Sequence, residues 1–200
     1  ERNSKITIFF AIGFFGPHPS HVILKTLIDD PSWYTSYTPY QPEISQGRLE
    51  MLLNYQTMVS DLTGLELSNA SLLDEGTSAA EAMQLAYGKH KGKRNKFFVS
   101  KDCHPQTIGV METRANLLGI ELIIDDPQLM LEGATDGEEF FGAMVQYPDP
   151  YGGIGDWHDW AAALKKQGIV IVAATDLLAL TVLKPPGEWG ADIAVGSAQR

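Results

Sequence analysis

Apolar residues at Leu49, Leu52, Leu53, Met58, Val59 and Leu62 recur at roughly helical spacing, and Gly64 follows as a stop, so 46–62 is expected to be a helix. A second helix is expected over 77–89. From there short apolar runs alternate with amphipathic ones. Strands are expected at 96–99, 120–124, 140–146, 169–174 and 191–195. Helices are expected at 104–118, ended by Gly119, at 156–167, ended by Gly168, and at 177–183. Strands separated by helices in this way indicate βαβ units around a mainly parallel sheet, an α/β fold with helices on both faces.

The first 47 residues read differently. They are rich in aromatics, proline and glycine, and carry one short helical pattern at 20–29 after Pro17 and Pro19. The run Tyr37-Thr38-Pro39-Tyr40-Gln41-Pro42-Glu43 forces an extended path, because each proline turns its predecessor away from helix. Residues 1–47 are therefore expected to form an extended arm with a short helix, and 48–200 an incomplete α/β domain. The chain opens on Glu1 without a methionine and stops just after an apolar strand, which reads as a piece of something longer.

Composition narrows the function classes. The formal charge of −10 argues against binding a phosphate backbone. The one basic cluster, Lys89-His90-Lys91-Gly92-Lys93-Arg94, is expected to close a helix, where cations complement its dipole. No apolar run approaches the ~20 residues that cross a bilayer. The segment 6–15, broken by Thr7 and Gly13, reads as a strand or buried segment. The single cysteine, Cys103, rules out an internal disulfide and a cysteine-rich zinc site and fits a reducing compartment. His18 and His21 have one-turn spacing, but Pro19 intervenes and no carboxylate completes a metal set.

Three places could carry chemistry. In open α/β sheets, ligands bind beyond the carboxyl ends of the strands, often against a helix N-terminus that favours an anion. Gly76-Thr77-Ser78-Ala79 has the small and hydroxylic residues of a phosphate cradle, but Asp74 and Glu75 adjoin it. An N-cap at Asp74 or Thr77 is the preferred alternative. Asp176, at a strand end, could face a protonated ring nitrogen or cap the next helix. His104, before Pro105, could stack on a ring, act as acid or base, or cap its helix. Tyr37 and Tyr40 suit a contact surface.

These strings carry a family resemblance. Tyr37-Thr38-Pro39-Tyr40-Gln41-Pro42-Glu43, Asn69-Ala70-Ser71-Leu72-Leu73-Asp74-Glu75-Gly76-Thr77 and Cys103-His104-Pro105-Gln106-Thr107 closely resemble the P-protein family of the glycine cleavage system. So do Ala174-Thr175-Asp176-Leu177-Leu178 and Pro185-Pro186-Gly187-Glu188-Trp189-Gly190-Ala191-Asp192, continuing to Gly196-Ser197-Ala198-Gln199-Arg200. The resemblance covers about residues 30–200. It departs over 9–20, where Ile12-Gly13-Phe14-Phe15 stands in place of a Gly-Tyr-Tyr pattern.

The resemblance implies the aspartate aminotransferase-like fold (type I) of enzymes dependent on pyridoxal 5′-phosphate (PLP). It implies decarboxylation of glycine and transfer of the aminomethyl group to the lipoyl arm of H-protein. The family is built from two related halves, fused or separate, and only the C-terminal half carries the lysine that anchors PLP; the strings here match the N-terminal half. Gln199 then stands at the expected lysine position. Gly76, Thr77, Ser78 and Asp176 become degenerate cofactor positions, and Tyr37, Tyr40 and His104 possible contributors to a shared site. The implied partners are the lysine-bearing half, lipoylated H-protein and glycine, in a dimer or α2β2 assembly, with bacterial cytoplasm preferred over mitochondrial matrix. A purely structural or docking half is the alternative.

Overall fold

The structure, a computed structural model, describes residues 18–31, 47–131 and 139–199. The arm bearing Tyr37 and Tyr40, the 6–15 segment, the departure over 9–17, most of the polar turn expected at 133–139, and Arg200 lie outside the described residues. Five strands, β1 (Lys96–Ser100), β2 (Glu121–Asp125), β3 (Phe140–Tyr147), β4 (Val170–Thr175) and β5 (Ile193–Val195), form one sheet in the order β2-β1-β3-β4-β5. Every neighbouring pair is parallel. The order reverses direction between β1 and β3, as in doubly wound sheets.

The helices are α1 (His21–Asp29), α2 (Arg48–Thr63), α3 (Glu75–Lys89), α4 (Pro105–Leu118), α5 (His158–Lys166) and the single turn α6 (Pro186–Trp189). Successive side chains of a strand point to opposite faces; β1 and β4 follow this throughout, and β3 follows it on either side of a register shift near its start, where Lys96 pairs with Phe140 but Phe97 with Gly142. Phe97, Val99, Phe141, Met144, Val170, Val172 and Ala174 join the core beneath α3 and α4. Phe98, Phe140, Ala143, Val145, Ile169, Ile171 and Ala173 join the core beneath α5. With both faces covered, β3 and β4 are buried along their whole length, which is why they read as continuous apolar runs rather than alternating ones.

Small residues set the layer spacing. α3 buries Ala79, Ala80, Ala82 and Ala86 around Met83. At its start, a Cβ on Gly76 would lie 3.1 Å from Val110 Cγ2 of α4, so glycine lets the two helices approach. Gly64 and Gly119 end α2 and α4 in the left-handed conformation, the terminus that glycine serves at least cost. The basic cluster does close α3, and Arg94 does more: its guanidinium donates to the carbonyls of Phe140 (2.8 Å) and Gln167 (2.9 Å), tying the start of β3 to the end of α5. Asp192 extends the β4–β5 pairing with a side chain: its Oδ2 accepts from Ile171 N–H at 2.9 Å, while Oδ1 pairs with Lys165 at 2.9 Å.

One expected element changes form. The helix anticipated over 177–183 is a turn containing only a three-residue 3₁₀ segment, Ala179–Thr181. Its apolar residues split between an inward Leu180 and an exposed Leu178 and Val182, and Pro185 and Pro186 follow too closely for a helix to propagate.

Candidate functional site

The loops that leave the carboxyl ends of the strands enclose a cavity of about 470 Å³. Its wall is assembled from Gln146, Pro148 and Asp149 at the end of β3, Thr175 and Asp176 at the end of β4, and Ser197 and Gln199 beyond β5. His104 at the head of α4 and Glu75 at the head of α3 complete it, with Leu178 and Val182 contributing apolar surface. Gly196 is required by this geometry, because a Cβ there would collide with the Thr175 carbonyl oxygen.

His104, Asp176 and Gln199, singled out in the sequence, thus meet around one cavity. Gly76, Thr77 and Ser78 do not line it. Gly76 is buried against Val110. The Thr77 N–H donates to Asp74 Oδ1 at 2.7 Å, and the Ser78 hydroxyl donates to the Asp74 carbonyl at 2.7 Å. Asp74 is the N-cap, and its Thr77 partner holds the carboxyl below the usual carboxylate range. Asp74 therefore occupies, with its own carboxylate, a donor that an anion at this helix start would use.

Glu75 is the acidic member of that turn that reaches the cavity. Thr107 Oγ1 donates to its Oε1 at 3.1 Å. Burial pushes the Glu75 carboxyl above the ordinary range; the Thr107 bond opposes this, and the nearby charges of Asp74 and Asp176 reinforce it. His104 is 4% exposed, and burial lowers its pKa, which favours the neutral imidazole. Asp176 Oδ1 accepts from Leu178 N–H at 3.1 Å, so it caps the following turn while lining the cavity. Gln199 N–H donates to Ser197 Oγ at 3.2 Å. Cys103 is a buried free thiol next to His104 in sequence, and burial pushes its pKa strongly up, which disfavours the thiolate.

Sequence reasoning missed Gln146 and Thr175. Both are buried, and among the described residues Gln146 Oε1 and Thr175 Oγ1 have no hydrogen-bond partner. The available signal was a polar residue at the end of β4 and one next to the end of β3, both otherwise apolar runs.

A family model for the glycine cleavage system P-protein matches residues 1–200. The chain belongs to this P-protein family. It is 56% identical over 199 residues to a protein named glycine dehydrogenase (decarboxylating) from Bordetella avium, covering all of this chain and 20% of that relative. The chain thus spans about one fifth of the curated P-proteins it matches. A crystal structure of glycine decarboxylase (P-protein) in inhibitor-bound form superposes with a TM-score of 0.77 at 36% identity, over 88% of this chain and 40% of that one. A structure described as SspA in complex with cysteine shares the fold, with a TM-score of 0.59 at 13% identity over 84% of this chain and 50% of that one. The parallel sheet with helices on both faces is the fold type I architecture of PLP-dependent enzymes.

The P-protein cavity described here does not fit a phosphorylated aldehyde cofactor held as an imine. Among the described lining residues there is no lysine to form the imine and no arginine to meet a phosphate, while Glu75, Asp149 and Asp176 are present. The helix start that would cradle the phosphate is capped by its own Asp74. No helix among the described residues is long and apolar enough to cross a membrane.

Proposed function

We propose that this chain is a segment of the half of a glycine-decarboxylating P-protein that does not anchor the cofactor. The observation carrying this reading is the cavity at the carboxyl end of the sheet, where Gln199 and three carboxylates stand and no lysine is among the described lining residues. The complete protein is proposed to be an oxidoreductase of glycine catabolism that acts in the cytoplasm. It removes CO₂ from glycine with PLP bound in the lysine-bearing half, and passes the aminomethyl group to the lipoyl arm of H-protein. The two halves, fused or separate, assemble as a dimer or as α2β2. By itself this chain is inactive.

Within that assembly, Tyr37, Tyr40 and His104 are the residues proposed to contribute to a shared site. A structural or docking role is the second reading. It is favoured by α1, whose Val22, Ile23, Leu24, Leu27 and Ile28 are all more than 40% exposed with no buried residue in the helix. The test is glycine-dependent CO₂ exchange with lipoylated H-protein, run on the complete protein and on its Tyr37→Phe, Tyr40→Phe variant. Loss of exchange with intact assembly supports a contribution to the site; unchanged exchange supports docking; absence of exchange in the unaltered protein overturns the proposed activity.

A further inference from the structure

The two helices whose starts frame the cavity finish together at the opposite end of the sheet, about 22 Å away along the 15 residues of α3. Thr107 bonds to Glu75 at 3.1 Å and Arg114 to Glu81 at 3.4 Å, so α3 and α4 run parallel and in step. Residues three or four positions further on share the same side of each helix, which sets Leu85 of α3 and Leu117 of α4 along one seam. They are 66% and 81% exposed, and Leu118 is also exposed. Gly88 follows Leu85 on this side, and a Cβ there would meet nothing within 4 Å. Nothing in the chain requires a glycine at that point, where alanine would favour the helix; its effect is to leave the backbone open to close approach from outside. Lys89, Lys91 and Lys93 stand around the same helix end, all exposed, and none is in an ion pair with a described residue. The helix dipole accounts for Lys89, the last residue of α3, but not for the two beyond it. A tight turn presents them: Lys93 N–H donates to the His90 carbonyl at 3.1 Å, Arg94 is tied to Phe140 and Gln167, and Lys91, at φ +52°, is the one non-glycine among the described residues with a left-handed backbone, an uncommon conformation for a lysine.

We propose that the ends of α3 and α4 form an interface for an acidic surface belonging to the part of the P-protein outside residues 1–200. The leucines supply its apolar centre and the lysines its charged rim, the arrangement of protein interfaces. Charge selects the kind of occupant. Three unpaired cations standing together in a chain of formal charge −10 complement carboxylates. A second copy of this face does not fit, because a two-fold contact sets the lysines against one another. A phosphate backbone is repelled by the chain's overall charge and gains nothing from the leucines. Length selects the source: the chain covers 20% of the Bordetella avium relative, so most of the polypeptide able to cover this face lies outside it. This requires only that the chain is part of a longer P-protein and is independent of the reaction proposed above. A contact at this end leaves the cavity at the other end open.

The test uses the complete protein. Lysine acetylation by an N-hydroxysuccinimide ester is followed by peptide mapping, in buffer and in urea. Lys89, Lys91 and Lys93 are expected to react about tenfold more slowly in the native protein than in the unfolded one. Carbodiimide should couple at least one of them to an aspartate or glutamate outside residues 1–200. Gly88→Leu places its side chain in open space as far as this chain is concerned, so it should preserve the circular dichroism of the protein while raising acetylation of the three lysines toward the unfolded rate. Lys91→Glu with Lys93→Glu, both on the exposed turn, should do the same for Lys89 by charge alone, and keeps the test open if Gly88→Leu does not fold. Acetylation of the native protein at the unfolded rate overturns the proposal, whether or not phosphatidylglycerol vesicles or an RNA oligomer then bind to this face. Protection without a cross-link to a carboxylate outside residues 1–200, or protection unchanged in both variants, overturns it as well.

Discussion

Replacing Thr175 by valine exchanges a buried hydroxyl for a methyl group of nearly the same shape. The residue ends β4, is 3% exposed, and its Oγ1 has no partner among the described residues. Both residues are β-branched, so the strand's backbone preference is unchanged. A buried polar group left unmet costs roughly 1–3 kcal/mol, and the methyl adds a small apolar gain. Thr175→Val is therefore expected to stabilise the fold by about 1–2 kcal/mol. In a urea titration the midpoint rises with an unchanged slope, since the surface exposed on unfolding is the same. For a unit of this size each kcal/mol corresponds to about 2–4 °C in Tm. A variant less stable than the parent would show that the hydroxyl is paired.

Three further outcomes are expected. Burial raises the Glu75 carboxyl above its ordinary range, so the folded state holds this proton more tightly than the unfolded state does; Glu75→Gln should stabilise the protein above the raised folded pKa, and this advantage should fade as pH falls below the unfolded value of about 4.3. Equal effects at pH 8 and pH 4 in parallel denaturation curves would refute that assignment. Gly196→Ala drives a Cβ into the Thr175 carbonyl oxygen, a backbone atom that cannot swing away, and should cost about 1–3 kcal/mol by urea titration; a neutral substitution would show that β5 is not so close to β4. Trp160→Phe removes the buried indole N–H that donates to the Pro127 carbonyl at 2.9 Å; a loss of about 1–3 kcal/mol is expected, and an unchanged midpoint would mean that the carbonyl finds another donor.

The fold was largely legible because its signals are local. Apolar runs in β3 and β4, glycine at the ends of α2 and α4, and Asp74 ahead of α3 each act within a few residues, and the structure places the elements close to where these signals put them. The failure at 177–183 arose where the signals conflict, since a helix-forming apolar stretch meets Pro185 and Pro186. At the site, His104 and Asp176 stood out because strand ends and helix heads are where ligands bind in such sheets, and Gln199 because the family resemblance implies a lysine at its position. That Glu75 rather than Gly76, Thr77 or Ser78 turns toward the cavity could not be read in advance, because it follows from the packing of Gly76 on Val110 and from the Thr107 bond. Gln146 and Thr175 escaped notice for the same reason: an unmet hydrogen bond is a property of three-dimensional surroundings, not of sequence.

The central claim is that this chain belongs to the half that cannot anchor PLP. It is tested most directly by titrating PLP into the chain alone, and then into its mixture with the lysine-bearing half, while following the absorbance band of an internal imine and its reduction by borohydride. A reducible band that forms only in the mixture is the predicted result. A reducible band with this chain alone, traced to one of its lysines by peptide mapping, would contradict the reading of Gln199 and of the carboxylate-lined cavity.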